Sequence, residues 1–385
     1  MKLFINAINL SSAGGLSVAL NFLKGLNECQ PADLTIYVAA PRHCGYEELA
    51  TPAMHLIWLP DGATSWLARL FTDYVWLPSL LRRLSPHVVF TMGNLATPTS
   101  LPQLVLLHYP HPAYPNDREI WSRLDWLDVI TVRLRNYAFD RRLRYASVLL
   151  VQTEAMRERV RALYSTGPQV QLLPNAYTKL AGQLPYDLPV GKQAGLRYLV
   201  CLSRYYAHKN MEILVAVAQL IRDRTLPYRI LLTIDPSHHR KARRLLDRIR
   251  QEKLTDLLIN IGTVPATGLL SLHQQIDGLV LPTLLESFSA TYADAMHLGV
   301  PIFTSRRDFA ETVCGPCAYY FDPLSATSIV DAICLGFDQP ERLQQTIAQA
   351  QLRSATLPDW TAIAHMGLAS IRALAHASVS RPSPQ

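Results

Sequence analysis

The chain has 385 residues, which is too many for one ordinary hydrophobic core and enough for two domains. Its 49% hydrophobic residues can fill two cores, which excludes disorder throughout, and its 17 glycines and 6 cysteines exclude collagen-like and disulfide-scaffold classes. Only 17% of residues are charged, yet the net charge is +7 and the mean hydropathy is +0.08. This balance indicates an anionic partner, which could be a nucleic acid, a membrane surface or a phosphorylated small molecule.

The N-terminal segment predicts a buried strand rather than a secretory signal, because Asn6 and Asn9 interrupt its apolar run. No stretch of sequence approaches the ~20 apolar residues of a membrane helix. The six cysteines are scattered along the chain, which is typical of reduced thiols. We therefore expect a cytoplasmic protein.

A pair of glycines follows the first predicted strand. Ser11-Ser-Ala-Gly-Gly15 precedes a helical pattern over Leu16–Leu26. Gly14 and Gly15 would let backbone N–H groups approach an anion at a helix N-terminus, where the helix dipole favours negative charge. A tight turn without a ligand explains this motif alone equally well, since no Gly-x-Gly-x-x-Gly or Walker sequence is present.

Short apolar runs alternate with longer amphipathic stretches through the first half of the chain. The predicted strands are Lys2–Ala7, Leu34–Ala39, His55–Leu59, His87–Thr91, Gln103–His108, Ser147–Gln152 and Gln169–Leu173. Continuous apolar strands between helices are typical of a parallel sheet that is covered on both faces.

Two segments of this half have features of a membrane contact. Trp66–Leu84 combines aromatic residues, leucines and two arginines like a helix at lipid headgroups, although Pro78 interrupts it and a buried helix pair explains it equally well. A basic stretch follows, with Arg133, Arg135, Arg141, Arg142 and Arg144. Residues 1–180 hold 17 of the Lys and Arg residues and 13 of the Asp and Glu residues. We expect peripheral contact with an anionic membrane as one use of this excess.

A Pro- and Gly-rich stretch then predicts an exposed linker, after which the alternation restarts. The predicted strands of the second half are Tyr198–Ser203, Arg229–Ile234, Leu257–Ile261, Gly278–Leu281, Pro301–Thr304 and Ala318–Phe321, with helices over Met211–Asp223 and Ser237–Lys253. The predicted fold is α/β, with two Rossmann-like, doubly wound parallel-sheet domains facing a cleft. Ligands of such sheets bind beyond the carboxyl ends of the strands.

The predicted boundaries place the first domain at 1–182, a linker at 183–192 and the second domain at 193–357. A C-terminal helix over 358–377 is expected to pack back toward the first domain, and 378–385 is expected to be a frayed tail.

A basic segment opens the second domain. In Ser203-Arg-Tyr-Tyr-Ala-His-Lys-Asn210, Arg204 offers a planar fork for phosphate oxygens and Lys209 a movable point charge. A turn between strand and helix could direct both toward the expected cleft. Taken alone, two solvated cations in a loop remain the simpler explanation.

An acidic segment follows the strand that ends at Leu281. Glu286 lies in a loop, a helix is predicted to begin near Ser289 and to end at Gly299, and Asp294 lies inside it. Glu286 could accept hydrogen bonds from sugar hydroxyls, the N–H groups of Phe288 and Ser289 could hold a phosphate, and Asp294 could bind a ribose diol. A lone acidic loop residue is more often a helix cap or a surface group.

Cys314-Gly-Pro-Cys317 has the spacing of a redox pair or of half a zinc site. A β-rich run follows it where a redox motif needs a helix, and no second ligand pair lies nearby. A turn between helix and strand is the better interpretation.

Together, these segments resemble the retaining GT-B glycosyltransferases of family 4, which use nucleotide sugars. Leu202-Ser-Arg-Tyr-Tyr-Ala-His-Lys-Asn210 is similar to the family's basic segment, with Ser203 where Gly is usual. Glu286 and Asp294, separated by seven residues, match its acidic pair, with Asp in place of the second Glu. The likeness continues through Ala295-Met296, Gly299-Val-Pro-Ile302 and Glu311-Thr-Val-Cys-Gly315, and Leu173-Pro-Asn-Ala176 resembles the family's domain border. It is dense only between Leu173 and Pro323.

The resemblance implies a role for each matching residue. Arg204 and Lys209 would neutralise the donor diphosphate, and Glu286 would bind hydroxyls of the donor sugar. Asp294 would hold the ribose hydroxyls, and Phe288 and Ser289 would offer backbone N–H groups. The remaining donor contacts would come from Gly14, Gly15, Gly262 and Thr263.

A histidine near the end of a strand in the first domain is common in the family. His108 matches this place and would lie close to the reacting sugar, with His111 as an alternative. A structural histidine is the simpler interpretation for either residue when the family is set aside.

The resemblance implies a metal-independent hexosyltransferase that retains anomeric configuration, and the absence of an Asp-x-Asp signature agrees with this. The expected partners are a nucleotide-diphosphate sugar and a glycan or lipid-linked acceptor. The expected setting is the synthesis of a bacterial-type surface polysaccharide or glycolipid, with no nucleic acid and no cofactor.

Three other functions stay open. A non-catalytic GT-B scaffold would explain why Ser203 and Asp294 depart from the pattern. A nucleic-acid-binding protein would explain the net charge, although no zinc finger, basic zipper or RNP-like strand is present. A sugar epimerase on the same fold is a weaker alternative.

Overall fold

A computed structural model describes residues 1–59, 66–177 and 184–379 of the chain. Gln183, where the predicted linker begins, and residues 380–385 of the predicted tail lie outside these ranges. The chain divides into two compact units. Unit 1 comprises 1–115, 129–176 and 358–385, and unit 2 comprises 116–128 and 177–357.

Unit 1 is built on a sheet of seven parallel strands in the order β3-β2-β1-β4-β5-β6-β7. The strands are β1 (Lys2–Asn6), β2 (Thr35–Ala40), β3 (Met54–Trp58), β4 (Val88–Thr91), β5 (Gln103–Leu107), β6 (Val148–Val151) and β7 (Gln169–Leu172). Most of their side chains are buried, which is why they appear as apolar runs in the sequence. The strand order reverses between β1 and β4, the point at which doubly wound sheets bind ligands.

Helices flank this sheet. They are α1 (Ala13–Cys29), α2 (Trp66–Phe71), α3 (Leu77–Leu84), α5 (Trp126–Leu143), α6 (Glu154–Leu163) and α14 (Trp360–Val379), and a π-helical turn (Thr72–Trp76) joins α2 to α3. The first three residues of α5 belong to unit 2, and the helix enters unit 1 at Val129. The predicted C-terminal helix, α14, packs against α1. Gly25 of α1 allows the close approach, because a Cβ there would lie 2.4 Å from the carbonyl oxygen of Trp360.

Unit 2 repeats the arrangement with six parallel strands in the order β10-β9-β8-β11-β12-β13. These strands are β8 (Arg197–Cys201), β9 (Tyr228–Leu232), β10 (Leu258–Asn260), β11 (Gly278–Leu281), β12 (Ile302–Ser305) and β13 (Tyr319–Phe321). Here the order reverses between β8 and β11, which pair directly. All thirteen strands of the described residues coincide with predicted ones to within two residues at each end.

The helices of unit 2 are α4 (Arg118–Arg123), α7 (Ile213–Asp223), α8 (Arg240–Gln251), α9 (Leu269–Gln275), α10 (Ala290–Leu298), α11 (Asp308–Cys314), α12 (Ala326–Phe337) and α13 (Pro340–Ala355). α11 ends at Cys314, and β13 begins two residues after Cys317. Burial raises the pKa of both thiols, which opposes thiolate chemistry and agrees with the turn interpretation. All six cysteines are free.

The segment 116–128 clusters with unit 2, whereas the sequence-based boundary assigns it to the first domain. Ionic contacts explain the difference. Arg307 donates to Asp117 at 3.3 Å and also contacts Glu119, and Arg240 contacts Asp125. These acids have their partners far along the chain, so local patterns could not reveal the association.

Among the residues that the structure describes, no helix is both long and apolar enough to cross a membrane.

Candidate active site

Lys209 and Glu286 form an ion pair at the carboxyl edge of the second sheet. Lys209 ends a 3₁₀ turn that follows β8, and Glu286 lies in the loop that follows β11. Because β8 and β11 are neighbours, these two segments leave the sheet side by side. The Nζ of Lys209 donates to Oε1 of Glu286, and the two side chains are only 13% and 14% exposed. The pair is therefore screened less than a surface ion pair would be.

Further hydrogen bonds fasten these segments together. The backbone N–H of Leu284 donates to the carbonyl of His208 at 2.8 Å. Asn210 is fully buried, and its Nδ2 donates to the carbonyls of Pro282 at 3.2 Å and Pro323 at 2.7 Å. Its φ of 55° is left-handed, a conformation that Asn tolerates better than most residues. No role was predicted for Asn210 from the sequence. The only feature that could have indicated one is that an asparagine directly follows Lys209 in the basic segment.

Arg204 is exposed and lies in the loop directly after β8. The preceding Ser203 does not adopt left-handed backbone, so a residue with a side chain fits where the family usually has glycine. Its N–H donates to Oγ1 of Thr233 at 3.1 Å, and its hydroxyl donates to the carbonyl of Arg204 at 3.0 Å. The departure from the family pattern therefore causes no visible distortion of the segment that carries Arg204.

α10 presents the other acidic residue. Ser289 is its N-cap, and Gly299 ends it with a left-handed φ of 71°, as the sequence predicts. The Ser289 side chain makes no capping hydrogen bond, so it does not occupy the N–H groups of the first turn. Asp294 lies in the middle of the helix and is 5% exposed. Phe288 is half-buried and packs against the core.

Gly262 and Thr263 follow β10, at the end of the sheet. β9 separates β10 from β8, which places the two strands about 10 Å apart. Gly262 has a φ of 74°, and no atom would lie within 4 Å of a Cβ there. The two residues lie at the same carboxyl edge as Lys209 but two strands away.

Gly14 and Gly15 lie inside the first turn of α1, which begins at Ala13 rather than at Leu16 as predicted. The Ser12 N-cap makes no side-chain capping bond, and the first turn contains no acidic residue. The N–H groups of the two glycines are therefore among the donors that the helix itself leaves unused.

His108 directly follows β5 and lies against Gly15. A Cβ at Gly15 would come within 3.5 Å of Nε2 of His108 and 3.0 Å of Cδ2 of Leu10. The side chain of Asn94 fixes the backbone at His108, because its Oδ1 accepts hydrogen bonds from the backbone N–H groups of His108 and Tyr109, both at 2.8 Å. Asn94 was not identified from the sequence, and its left-handed φ of 66° is again typical of Asn.

Burial lowers the pKa of His108 to about 4, so its imidazole is neutral at pH 7 and adds no positive charge. His111, which is 3% exposed, lies in a 3₁₀ turn, and its ring packs 4.9 Å from that of Tyr109. Burial first, and the nearby charge of Arg135 second, lower its pKa to about 4.

The structure thus brings Lys209 to Glu286 in unit 2 and Gly15 to His108 in unit 1. Within the described residues, no cluster of three or more His, Cys, Asp or Glu side chains could hold a metal ion. Metal independence remains a prediction.

Comparisons with known proteins bear on the second half of the chain and on the fold. Residues 189–353 match the family described as Glycosyl transferases group 1. The matched segment contains Arg204, Lys209, Glu286 and Asp294, and the prediction of a glycosyltransferase is confirmed.

Several solved structures are similar in fold over nearly the whole chain. Sucrose-phosphate synthase from Thermosynechococcus elongatus is 18% identical with a TM-score of 0.76, covering 98% of this chain and 100% of its own. WaaG, a glycosyltransferase involved in lipopolysaccharide biosynthesis, is 15% identical with a TM-score of 0.70, covering 96% and 99%. Anabaena Alr3699/HepE in complex with UDP-glucose is 14% identical with a TM-score of 0.70, covering 97% and 100%. No curated protein sequence matches significantly. The predicted GT-B fold is confirmed.

Gly15→Ala should slow sugar transfer by the glycosyltransferase at least several-fold, because the new methyl group would lie 3.0 Å from Cδ2 of Leu10, which must shift, and would contact the ring of His108. Gly14→Ala is the matched control, since no atom lies within 4 Å of its Cβ position. Both substitutions replace glycine in a helix by alanine, which favours the helix by up to about 1 kcal/mol. Melting temperatures of both variants therefore show how much of any change in rate comes from a change in stability. Equal rates for the two variants would contradict the close packing of Gly15 against Leu10 and His108.

His111 should make the fold less stable in acid. Its pKa is about 4 when folded and near 6.5 when unfolded, so between these values the unfolded chain binds a proton that the folded chain does not. The contribution of neutral His111 to the free energy of unfolding is therefore fully present above pH 6.5. It falls as the pH is lowered toward 4, by about 3 kcal/mol in total. Urea unfolding at pH 7.5 and pH 5 should show a smaller loss for His111→Gln than for wild type. His55→Gln, at an exposed position of the same unit, should behave as wild type.

Proposed function

We propose that this glycosyltransferase transfers a sugar from a nucleoside-diphosphate donor, with retention of anomeric configuration, to a glycan or lipid-linked acceptor. The setting that we propose is bacterial-type surface polysaccharide or glycolipid synthesis at the inner face of the cytoplasmic membrane. The observation that carries the proposal is the Lys209–Glu286 pair at the β8/β11 edge, inside the matched family domain.

Leaving-group stabilisation is the first requirement of this reaction. Negative charge develops on the diphosphate as the glycosidic bond breaks, and fixed cations lower the barrier most where water is scarce. Lys209 has three N–H donors and uses one on Glu286, so it can donate to a phosphate oxygen while it stays paired. Arg204, exposed at the end of β8, adds a planar fork for further phosphate oxygens.

Orientation of the donor is the second requirement. Glu286 has a second carboxylate oxygen for sugar hydroxyls, and the open first turn of α10 offers N–H groups to the sugar or the phosphate. Asp294 would accept from the ribose hydroxyls. Gly262 and Thr263, two strands away, would lie toward the nucleobase, where backbone contacts suffice.

The resemblance to family 4 also implies roles for residues of the first unit. The N–H groups of Gly14 and Gly15 would face donor phosphate or acceptor, and His108 would lie near the reacting sugar. Because its pKa is about 4, His108 would act there as a neutral hydrogen-bonding group. Retention by departure and attack on the same sugar face is part of the proposal and follows the resemblance to family 4.

UDP should raise the melting temperature of the protein, because a ligand that binds only the folded state stabilises it. The Anabaena protein with a similar fold is described in complex with UDP-glucose, which supports the choice of UDP and UDP-glucose as first probes. Other nucleoside diphosphates complete the panel. If none of the panel raises the melting temperature at millimolar concentration, the proposed donor class is wrong.

Arg204→Ala and Lys209→Ala should each reduce turnover by a factor on the order of 10² or more, the scale expected when one transition-state charge contact is lost. Steady-state rates of sugar transfer measure this effect. Arg243→Ala removes an exposed cation of α8 in the same unit and should leave the rate unchanged. Near wild-type transfer by both site variants would contradict the assignment of the donor site.

A further inference from the structure

The helix α5 is apolar on two opposite sides. Val132, Phe139 and Leu143 are buried against the rest of the unit. On the outer side Ile130, Leu134 and Tyr137 are exposed, and Leu134 reaches 63%. Their spacing of four and three residues aligns them in one stripe along the helix. A helix that covers a core needs only one apolar stripe, so core packing does not explain the outer one.

A second exposed apolar stripe lies on α2 and the π-helical turn that follows it. Leu70, Phe71, Tyr74 and Val75 are each between 45% and 56% exposed. Thr72, in the same turn, is buried. The large side chains therefore point outward while a small polar one points inward, the reverse of what solubility alone would favour.

Arg142 connects α5 to the π-helical turn. Its guanidinium forms a salt bridge with Asp73 at 2.7 Å and lies 5.3 Å from the ring centroid of Tyr74. We call the combined area the outer apolar surface, consisting of Leu70, Phe71, Tyr74, Val75, Ile130, Leu134 and Tyr137. Large exposed apolar area usually marks a place of interaction.

The charges around the outer apolar surface are mostly positive. Arg141 and Arg144 are exposed at the end of α5, and Arg82 and Arg83 are exposed at the end of α3. The nearby acids are engaged inside the unit, since Asp73 pairs with Arg142 and Asp140 accepts from the hydroxyl of Tyr164 at 2.8 Å. The surface thus has an apolar, aromatic centre and cationic neighbours.

We propose that the outer apolar surface binds the face of an anionic lipid bilayer. Aliphatic and aromatic side chains would enter the boundary between headgroups and acyl chains, and the arginines would pair with anionic headgroups. A symmetric dimer through the same face would bring arginines of the two copies toward one another, which disfavours self-association. The biological purpose of the contact, access to a lipid-linked acceptor, rests on the proposed function, whereas the binding itself does not.

Flotation with vesicles of phosphatidylglycerol and phosphatidylcholine in equal parts tests this proposal, with pure phosphatidylcholine vesicles for comparison. Wild type should float with the anionic vesicles at low salt and much less with the neutral ones. The double variant Phe71→Ser/Leu134→Ser should lose binding about ten-fold or more, because two large side chains no longer leave water. Arg141→Gln/Arg144→Gln should bind more weakly at low salt and resemble wild type near 1 M salt, where charges are screened within about 3 Å.

Leu352→Ser is the matched control, because Leu352 is 71% exposed on α13 of the other unit and should not affect flotation. Melting temperatures and the UDP-induced shift are measured for every variant. The proposed membrane binding is wrong if wild type does not float with the anionic vesicles, or if the apolar double variant floats as well as wild type. Either result stands even if UDP binds. Sedimentation that shows a dimer abolished by the same double variant overturns it in favour of a self-interface. Flotation without any nucleotide binding would leave the surface standing and reject the proposed donor chemistry.

Discussion

The adjacency of β8 and β11 is the constraint on which the candidate site depends. Lys209 and Glu286 are 77 residues apart in the chain, yet they pair because parallel strands end at one common edge. In doubly wound sheets, such a reversal of strand order is the place where ligands bind. Asn210 then fixes the loops to each other through the carbonyls of Pro282 and Pro323. Any shift in this pairing would separate the cation from the carboxylate, so the chemistry of the site follows from the order of the sheet.

The strands could be predicted from the sequence because a strand buried on both faces must be apolar along its length, and such runs are visible without any knowledge of the fold. The start of α1 could not be predicted in the same way. Gly14 and Gly15 have poor helix propensity, so the helical pattern begins only at Leu16, whereas the helix begins at Ala13 after an extended Ser12. The assignment of the segment 116–128 to unit 2 could not be predicted either, because the partner of Asp117, Arg307, lies 190 residues away in the chain.

The charged residues of the candidate site could be named only through the resemblance to family 4, because their types alone fit solvated loop residues as well. The residues that position them could not. Asn94 acts through a single carbonyl oxygen that accepts two N–H groups, and Asn210 acts through an amide that donates to two carbonyls. Both roles depend on left-handed backbone and on tertiary neighbours. An asparagine in a loop predicts only that such a conformation is tolerated.

The net charge of +7 acquires a different meaning once the structure assigns the cations. Arg307 and Arg240 each face a carboxylate of the same unit, as Arg142 does in the other, so these charges stabilise local contacts rather than form a field. Lys209 is also compensated, by Glu286.

A donor diphosphate would therefore meet a neutral pair together with the exposed Arg204, and not a cluster of free cations. Such a site does not attract anions strongly at long range, and its selectivity would come from what the pair can do at once: the lysine donates to phosphate while the carboxylate accepts from a sugar hydroxyl. A free inorganic anion satisfies only half of that arrangement, whereas a sugar attached to a diphosphate satisfies both halves.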